Sequence, residues 1–287
     1  MSTMTITAKM ISELRARTSA GILDCKKALE EAAGDMDKAS EILRAKGIAK
    51  AEKRAGRSAS QGLVMIEVAA DAATGTMVEV NCETDFVART DAFREFVKGL
   101  LAHASGHAPA GADVTAAVMA QGWQGGTTSV EETLKGISAK TGEAMAIKRV
   151  AKFSVAGGVV GHYLHHNEQV GVLVEVAGAT GDAAVTLARD LALHIASSDP
   201  IAVRAEEIPT DLLDRERRIA EEQVAAEGKP EAIRAKIVDG KIKKFTAERS
   251  LMDQPFVKDD ARQVSHLVAE VPGATVVRFA RFKVGEV

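Results

Sequence analysis

The sequence predicts an α+β protein built in three parts: a three-helix bundle over residues 1–55, and two related β-hairpin/helix units over 61–152 and 153–287. The second unit carries an antiparallel coiled-coil insertion at about 205–245. Three observations lead there. Apolar residues recur at spacings of three and four in the first fifty positions. Strand-like segments beyond them repeat at a fixed offset. Inside the second copy lie two highly charged segments with narrow apolar stripes, separated by Gly228-Lys229-Pro230.

In the N-terminal part, Met10, Ile11 and Leu14 form one stripe, and Ile22, Cys25, Ala28 and Leu29 a second. Gly34-Asp35 breaks the chain and places Asp35 to cap a third helix carrying Met36, Ala39, Ile42 and Leu43. Gly47 is expected to end that helix. The small, polar run from Ala55 to Ser60 then reads as a linker.

Past the linker, Gly62-Leu63-Val64 matches Gly158-Val159-Val160, and Val78-Glu79-Val80 matches Val174-Glu175-Val176, both at an offset of 96. An apolar helix follows each pair, Phe93 to His103 and Ala184 to His194, but His103 and His194 are offset by only 91. The first copy therefore holds five extra residues between strand and helix, around Asn81 to Ala88. An enlarged loop in one copy of a duplicated scaffold is a candidate working part. A turn-rich stretch from His107 to Thr128 and a helix opening at a capping box, Ser129 to Glu132, complete the first unit.

In the insertion, Asp211 to Ala226 shows a stripe of Leu212, Ile219 and Val224. Pro230 suits the first position of a second helix whose buried side is marked by Ile233 and Ile237. Each arm is roughly 20–25 Å long at helical rise. Its stripe covers one partner helix and little more. The Val- and Phe-rich stretch from Thr275 to Val284 reads as a returning strand.

Hydrophobic residues make up 46% of the 287-residue chain, enough for real cores, while aromatics are only 3%, so small aliphatics must pack them. A net charge of −3 argues against a surface built mainly to neutralise phosphates. Cys25 and Cys82 fit neither a disulfide framework nor zinc spacing and read as buried thiols of a reducing compartment. The first ten residues have no signal-peptide pattern, and no apolar run reaches membrane-spanning length. These features describe a soluble cytoplasmic protein.

Catalytic motifs find no support. No phosphate-cradling glycine loop or nucleophile elbow occurs. Gly122 to Gly126 reads as a loop, and Ser197-Ser198-Asp199 as a helix end. His162, His165 and His166 invite a metal reading, with His162 and His166 sharing a face if on a strand, but no further ligand stands at zinc spacing. The basic run Lys46, Lys50, Lys53, Arg54 and Arg57 could meet RNA, yet lacks interleaved aromatics. An RNA- or ribosome-associated helical protein is thus the rival reading. Phe86, in a polar loop beside Asp85, either folds back into a core or stands out as an interface anchor.

Leu14-Arg15-Ala16-Arg17-Thr18-Ser19-Ala20-Gly21-Ile22-Leu23-Asp24-Cys25-Lys26-Lys27-Ala28-Leu29 closely resembles the N-terminal signature of the elongation factor Ts family. Glu79-Val80-Asn81-Cys82-Glu83-Thr84-Asp85-Phe86-Val87-Ala88 resembles its second signature. Further matches run in order through Gly142-Glu143, Lys148-Arg149, His194-Ile195-Ala196, Gly228-Lys229-Pro230, Lys243-Lys244-Phe245, Gln254-Pro255-Phe256-Val257 and Arg281 to Glu286. The resemblance implies a UBA-like N-terminal bundle, two related core subdomains and a coiled coil. It also implies a non-enzyme without cofactors, a guanine-nucleotide exchange factor that binds elongation factor Tu both GDP-bound and nucleotide-free. No nucleotide would be bound directly, and neither membrane nor nucleic acid is expected as a partner. Thr84, Asp85, Phe86 and Val87 match the family's element for dislodging the partner's Mg²⁺. Arg15 and Lys26 lie in the signature that docks on the GTPase domain, and His165 matches an interface histidine. The stretch between Tyr163 and Gly171 is one residue longer than the family pattern, which keeps His166 open as the alternative. Family members often continue into a C-terminal helical module, which this chain, stopping at Val287, is expected to lack.

Overall fold

The computed structural model describes residues 5–18, 20–54, 56–227 and 230–286. Ala55 of the expected linker and the Gly228-Lys229 pair lie outside these residues. The N-terminal part folds as α1 (Ala8–Thr18), α2 (Ile22–Glu31) and α3 (Met36–Arg54). Leu14, Cys25, Ala28, Leu29, Ala39 and Leu43 form its core, with Met10, Ile11, Met36 and Ile42 against it. Asp35 caps α3 by accepting the Asp37 and Lys38 N–H groups, each at 3.0 Å. These bonds hold its carboxyl below the ordinary carboxylate range.

Two expectations for this part fail. Ile22 is not in the stripe: it is 56% exposed, at the first turn of α2 beside the exposed Leu23. Gly47 does not end α3, which continues to Arg54. The extension packs on a later helix, and a Cβ at Gly47 would stand 3.0 Å from the Ala139 Cβ. Here glycine permits close helix approach, and tertiary packing overrides its low helix propensity.

The first unit contains β1 (Gln61–Val68), β2 (Thr74–Cys82), α4 (Asp85–Ala88), α5 (Asp91–His107), α6 (Thr115–Met119), α7 (Val130–Thr141) and β3 (Met145–Ser154). The expected capping box at Ser129 and Glu132 is formed at the start of α7. The second contains β4 (Gly158–Leu164), β5 (Val170–Ala177), α8 (Gly181–Ser198), α9 (Thr210–Ala226), α10 (Glu231–Arg249), β6 (Pro255–Phe256), β7 (Asp259–Gln263), α11 (Val264–Ala269) and β8 (Thr275–Lys283). The first unit exceeds the expected hairpin by one strand, β3, while the returning strand expected at Thr275 to Val284 forms as β8; the sheets are antiparallel, in the orders β1-β2-β3 and β4-β5-β8.

Strand alternation gives each sheet two apolar faces. Leu63, Val78 and Val80 pack under α5, while Val172, Val174 and Val176 pack with α8. The opposite faces meet: Val64, Met77, Ala151 and Phe153 of one sheet share a core with Val160, Leu173, Ala280 and Phe282 of the other. The result is a helix–sheet–sheet–helix stack. Because each sheet is covered on both faces, β2 and β5 are buried along nearly their whole length rather than at alternate positions.

The duplication extends into polar detail. Glu79 pairs with Arg149 at 2.6 Å and Glu175 with Arg278 at 2.8 Å. Arg149 lies over the Phe282 ring of the opposite sheet at 4.6 Å, and Arg278 over Phe153 at 4.5 Å. The two sheets are thus cross-linked twice by equivalent cation–π contacts. Both bulges fall at matching places, between Glu79 and Val80 and between Glu175 and Val176. Burial outweighs Arg149 at Glu79 and raises that carboxyl above its ordinary value. His103 Nε2 meets Gln121 Oε1 at 2.9 Å while its Nδ1 accepts the Gln124 N–H. His194 repeats this with Gln254 at 2.8 Å and the Val257 N–H.

The insertion is a helical hairpin. It leaves the body at Ala202 and returns at Ser250, which form a bridge. Its seam is Ala220, Val224 and Val238, with Ile237 and Ile242 beside them. Ile219 and Ile233, assigned to the seam from sequence, are instead exposed. Ala220 occupies the seam where Ile219 was expected. Pro230 caps α10 from outside rather than occupying its first turn.

Candidate functional site

The five extra residues of the first unit have a definite structure. Residues 83–90 join β2 to α5, where 178–180 suffice between β5 and α8. The added chain forms the single turn α4. A turn this short is not stable by itself, because nucleation fixes several dihedrals for one hydrogen bond. Thr84 caps it by accepting the Val87 N–H at 3.3 Å, and Thr90 caps the following α5 through the Phe93 N–H.

Below α4 the chain is tied down on every side of Thr84. Glu143, just past the left-handed Gly142 that ends α7, grips it with both oxygens: Oε1 accepts the Thr84 hydroxyl at 2.6 Å and Oε2 the Thr84 N–H at 3.0 Å. The Thr84 carbonyl accepts from Cys82 Sγ at 3.2 Å. In return Glu83 Oε1 accepts the Ala144 N–H at 2.6 Å and meets Arg57 at 3.4 Å. Those bonds, the backbone one foremost, hold the Glu83 carboxyl below its usual range. Burial pushes the Cys82 thiol up to about 12, which leaves it protonated and unreactive.

Above this base, Ala88 is buried and Val87 packs on the α5 core. Asp85 is half-buried and pairs locally with Arg89 at 3.0 Å. Phe86 is 80% exposed. Of the two fates open to it, the structure selects the outward one. A whole benzyl group in water at the tip of a braced turn is an unusual arrangement in a chain with eight phenylalanines.

His165 lies in the turn between β4 and β5, half-buried, with Nδ1 2.9 Å from the Tyr163 hydroxyl. His166 is exposed, its ring tilted 55° to that of His165 with centroids 4.2 Å apart. His166 lies beyond the end of β4, so the shared strand face expected for His162 and His166 does not form. Glu168 of the same turn grips Arg94 of α5 at 2.6 and 2.8 Å, which lowers the Glu168 carboxyl. α5 therefore supports both the Phe86 turn and the histidine turn. Arg15 and Lys26 stand apart, exposed on α1 and α2, with Lys26 3.8 Å from Glu30. Sequence reasoning missed the Glu143–Thr84 grip and the Arg94–Glu168 clamp, because both join residues more than fifty positions apart.

Most of the basic run makes contacts within the molecule. In α3, Lys46 meets Glu31, Lys50 meets Asp24 and Arg54 donates to the Ser138 carbonyl; past its end, Arg57 meets Glu83. Among the described residues, no group of three or more His, Cys, Asp or Glu is placed to hold a metal, and no helix is long and apolar enough to cross a membrane.

A family profile described as "Elongation factor TS" matches residues 83–286. The chain is 48% identical to elongation factor Ts of Thioalkalivibrio sulfidiphilus over 284 residues, which is 99% of this chain and 93% of that protein. Identity to elongation factor Ts of Renibacterium salmoninarum is 46%, over 97% of this chain and 98% of that one. For Aquifex aeolicus elongation factor Ts it is 41%, over 98% and 99%. With signature, exposed turn and near-complete coverage in agreement, the chain belongs to the elongation factor Ts family.

Proposed function

We propose that this protein is the guanine-nucleotide exchange factor for elongation factor Tu in translation elongation, acting in the cytoplasm without covalent chemistry of its own. The observation that carries the reading is the outward Phe86 on a turn braced from below. Moving most of that ring from water into a partner pocket offers about 2 kcal/mol. It is therefore a plausible anchor on energetic grounds as well as by family membership.

In this reading Thr84 to Val87 enter the GTPase domain of the partner. Phe86 wedges between its helices and Asp85 comes beside the nucleotide site, disturbing the Mg²⁺ and phosphate contacts. Mg²⁺ neutralises the β-phosphate, so loosening its coordination frees GDP with no bond made or broken. The exchange factor accelerates release only if it binds nucleotide-free partner more tightly than the GDP complex. GDP must then weaken its binding by the same factor. The three-part division at 1–55, 61–152 and 153–287 assigns each part a contact. The UBA-like bundle docks through Arg15 and Lys26, and the second unit through His165. The α9–α10 hairpin serves as the coiled coil.

The test is release of fluorescent GDP from elongation factor Tu with catalytic amounts of this protein. A large acceleration, reduced on the order of 30-fold in Phe86→Ala, is expected from the 2 kcal/mol above. No acceleration by folded wild-type protein would sink the reading.

A further inference from the structure

We propose that Glu143 is a positioning residue for exchange: its two-oxygen grip on Thr84 holds the Phe86 turn in its binding-competent shape. The inference rests on the exchange reading above. Glu143 has its own footing, since Ser138 of α7 donates to its carbonyl at 2.6 Å and Gly142 aims the chain back along the sheet. The Thr84 hydroxyl donates to Glu143 Oε1. That donation fixes the hydroxyl rotor with its lone pairs free to accept the Val87 N–H, which is the cap of α4.

One carboxylate thus orders two bonds. It accepts directly from Thr84, and through the oriented hydroxyl it secures the turn on which Phe86 stands. The second unit, whose connection is three residues long, has no exposed aromatic there to hold. Without the grip, a four-residue turn has too few internal bonds to persist, and Phe86 would spend most of its time in other orientations. A loop that is competent for a fraction of the time binds with its dissociation constant divided by that fraction.

Glu143→Gln keeps size and shape but presents an amide group to at least one Thr84 donor. Because bonds to charged groups are among the stronger ones, the competent fraction should fall about tenfold. Steady-state GDP exchange should then show a half-saturating concentration about tenfold higher, with the maximal rate within about twofold of wild type. Thr84→Val should raise the half-saturating concentration likewise, and the double variant should be no worse than the worse single one. Hydrogen exchange at the Val87 amide should quicken in Glu143→Gln, with the melting profile unchanged. Wild type and Phe86→Ala are run in the same assay. If wild type fails to accelerate GDP release, the exchange reading itself falls. If wild type is active but Glu143→Gln matches it, or the two single effects multiply in the double variant, the positioning role is overturned. Should Glu143→Gln fold poorly, slower exchange with normal Val87 protection in Thr84→Val would overturn it too.

Discussion

The two β units are close copies in their scaffolding and differ at one connection. Both place a three-stranded sheet under a long helix, both bulge after the buried glutamate of the middle strand, and both bury a histidine between a glutamine and a backbone amide. Yet one joins its second strand to its helix through residues 83–90 and exposes Phe86, while the other turns at 178–180. What is shared is what each unit needs to fold against its twin. What is unshared, the 83–90 connection, is the part the proposed function assigns to the partner.

The sharpest way to break this comparison is to make the copies alike. Replacing residues 83–90 by the short connection Gly178-Ala179-Thr180 should abolish acceleration of GDP release, a loss of at least about a hundredfold if the whole anchor is removed. Retained circular dichroism and melting behaviour would separate loss of function from loss of fold. Substantial residual activity would move the working surface elsewhere.

A second test asks whether the shared parts carry equal loads. Arg149→Ala leaves Glu79, which is fully buried, without its partner, whereas Arg278→Ala leaves Glu175, whose side chain is slightly exposed. Removing one partner of a buried pair costs about 3–5 kcal/mol. The Arg149 variant should therefore lose more stability in urea unfolding than the Arg278 variant. Equal losses would show that the sheets' cross-contacts with Phe282 and Phe153, common to both, dominate.

The smallest effect concerns the paired histidines. Burial lowers the pKa of both His103 and His194, and each Nδ1 already accepts a backbone N–H, so the folded protein resists protonating them. The unfolded chain titrates near the ordinary value of about 6.5. Below that pH the unfolded state binds more protons than the folded one, so stability should fall as pH drops and level off only under the depressed folded values. Urea midpoints at pH 7.5 and 5.5 read this directly. His194→Gln should be weaker at pH 7.5 but show a flatter profile, and an unchanged slope would assign the acid sensitivity to other groups.

Much of this was legible in the sequence because duplication leaves fixed offsets, and helical or strand periods survive in apolar patterning. The offset of 96 located the paired strands, and its drop to 91 located the added turn. The first unit's third strand, Met145–Ser154, escaped notice although its motif recurs in the returning strand of the second. Arg149-Val150-Ala151-Lys152-Phe153-Ser154-Val155 corresponds to Arg278-Phe279-Ala280-Arg281-Phe282-Lys283-Val284, but at an offset of 129. The larger offset arises because the second unit carries the α9–α10 hairpin between helix and third strand.

The sequence alone determined the helical bundle, the capped helices, the paired strands and the family signatures, since each depends on neighbours within a few turns or on direct repetition. Tertiary structure alone decided that Gly47 lies inside a helix, that Ile22, Ile219 and Ile233 face outward, and that the two sheets share one core. It also decided the direction of Phe86. Composition could argue for burial or exposure equally, because the deciding contacts come from Glu143, far along the chain, and bind Thr84 rather than Phe86 itself. Local propensity acts over a turn or a strand pair; where a side chain ends up depends on which distant surface arrives to cover it, or to hold it in the open.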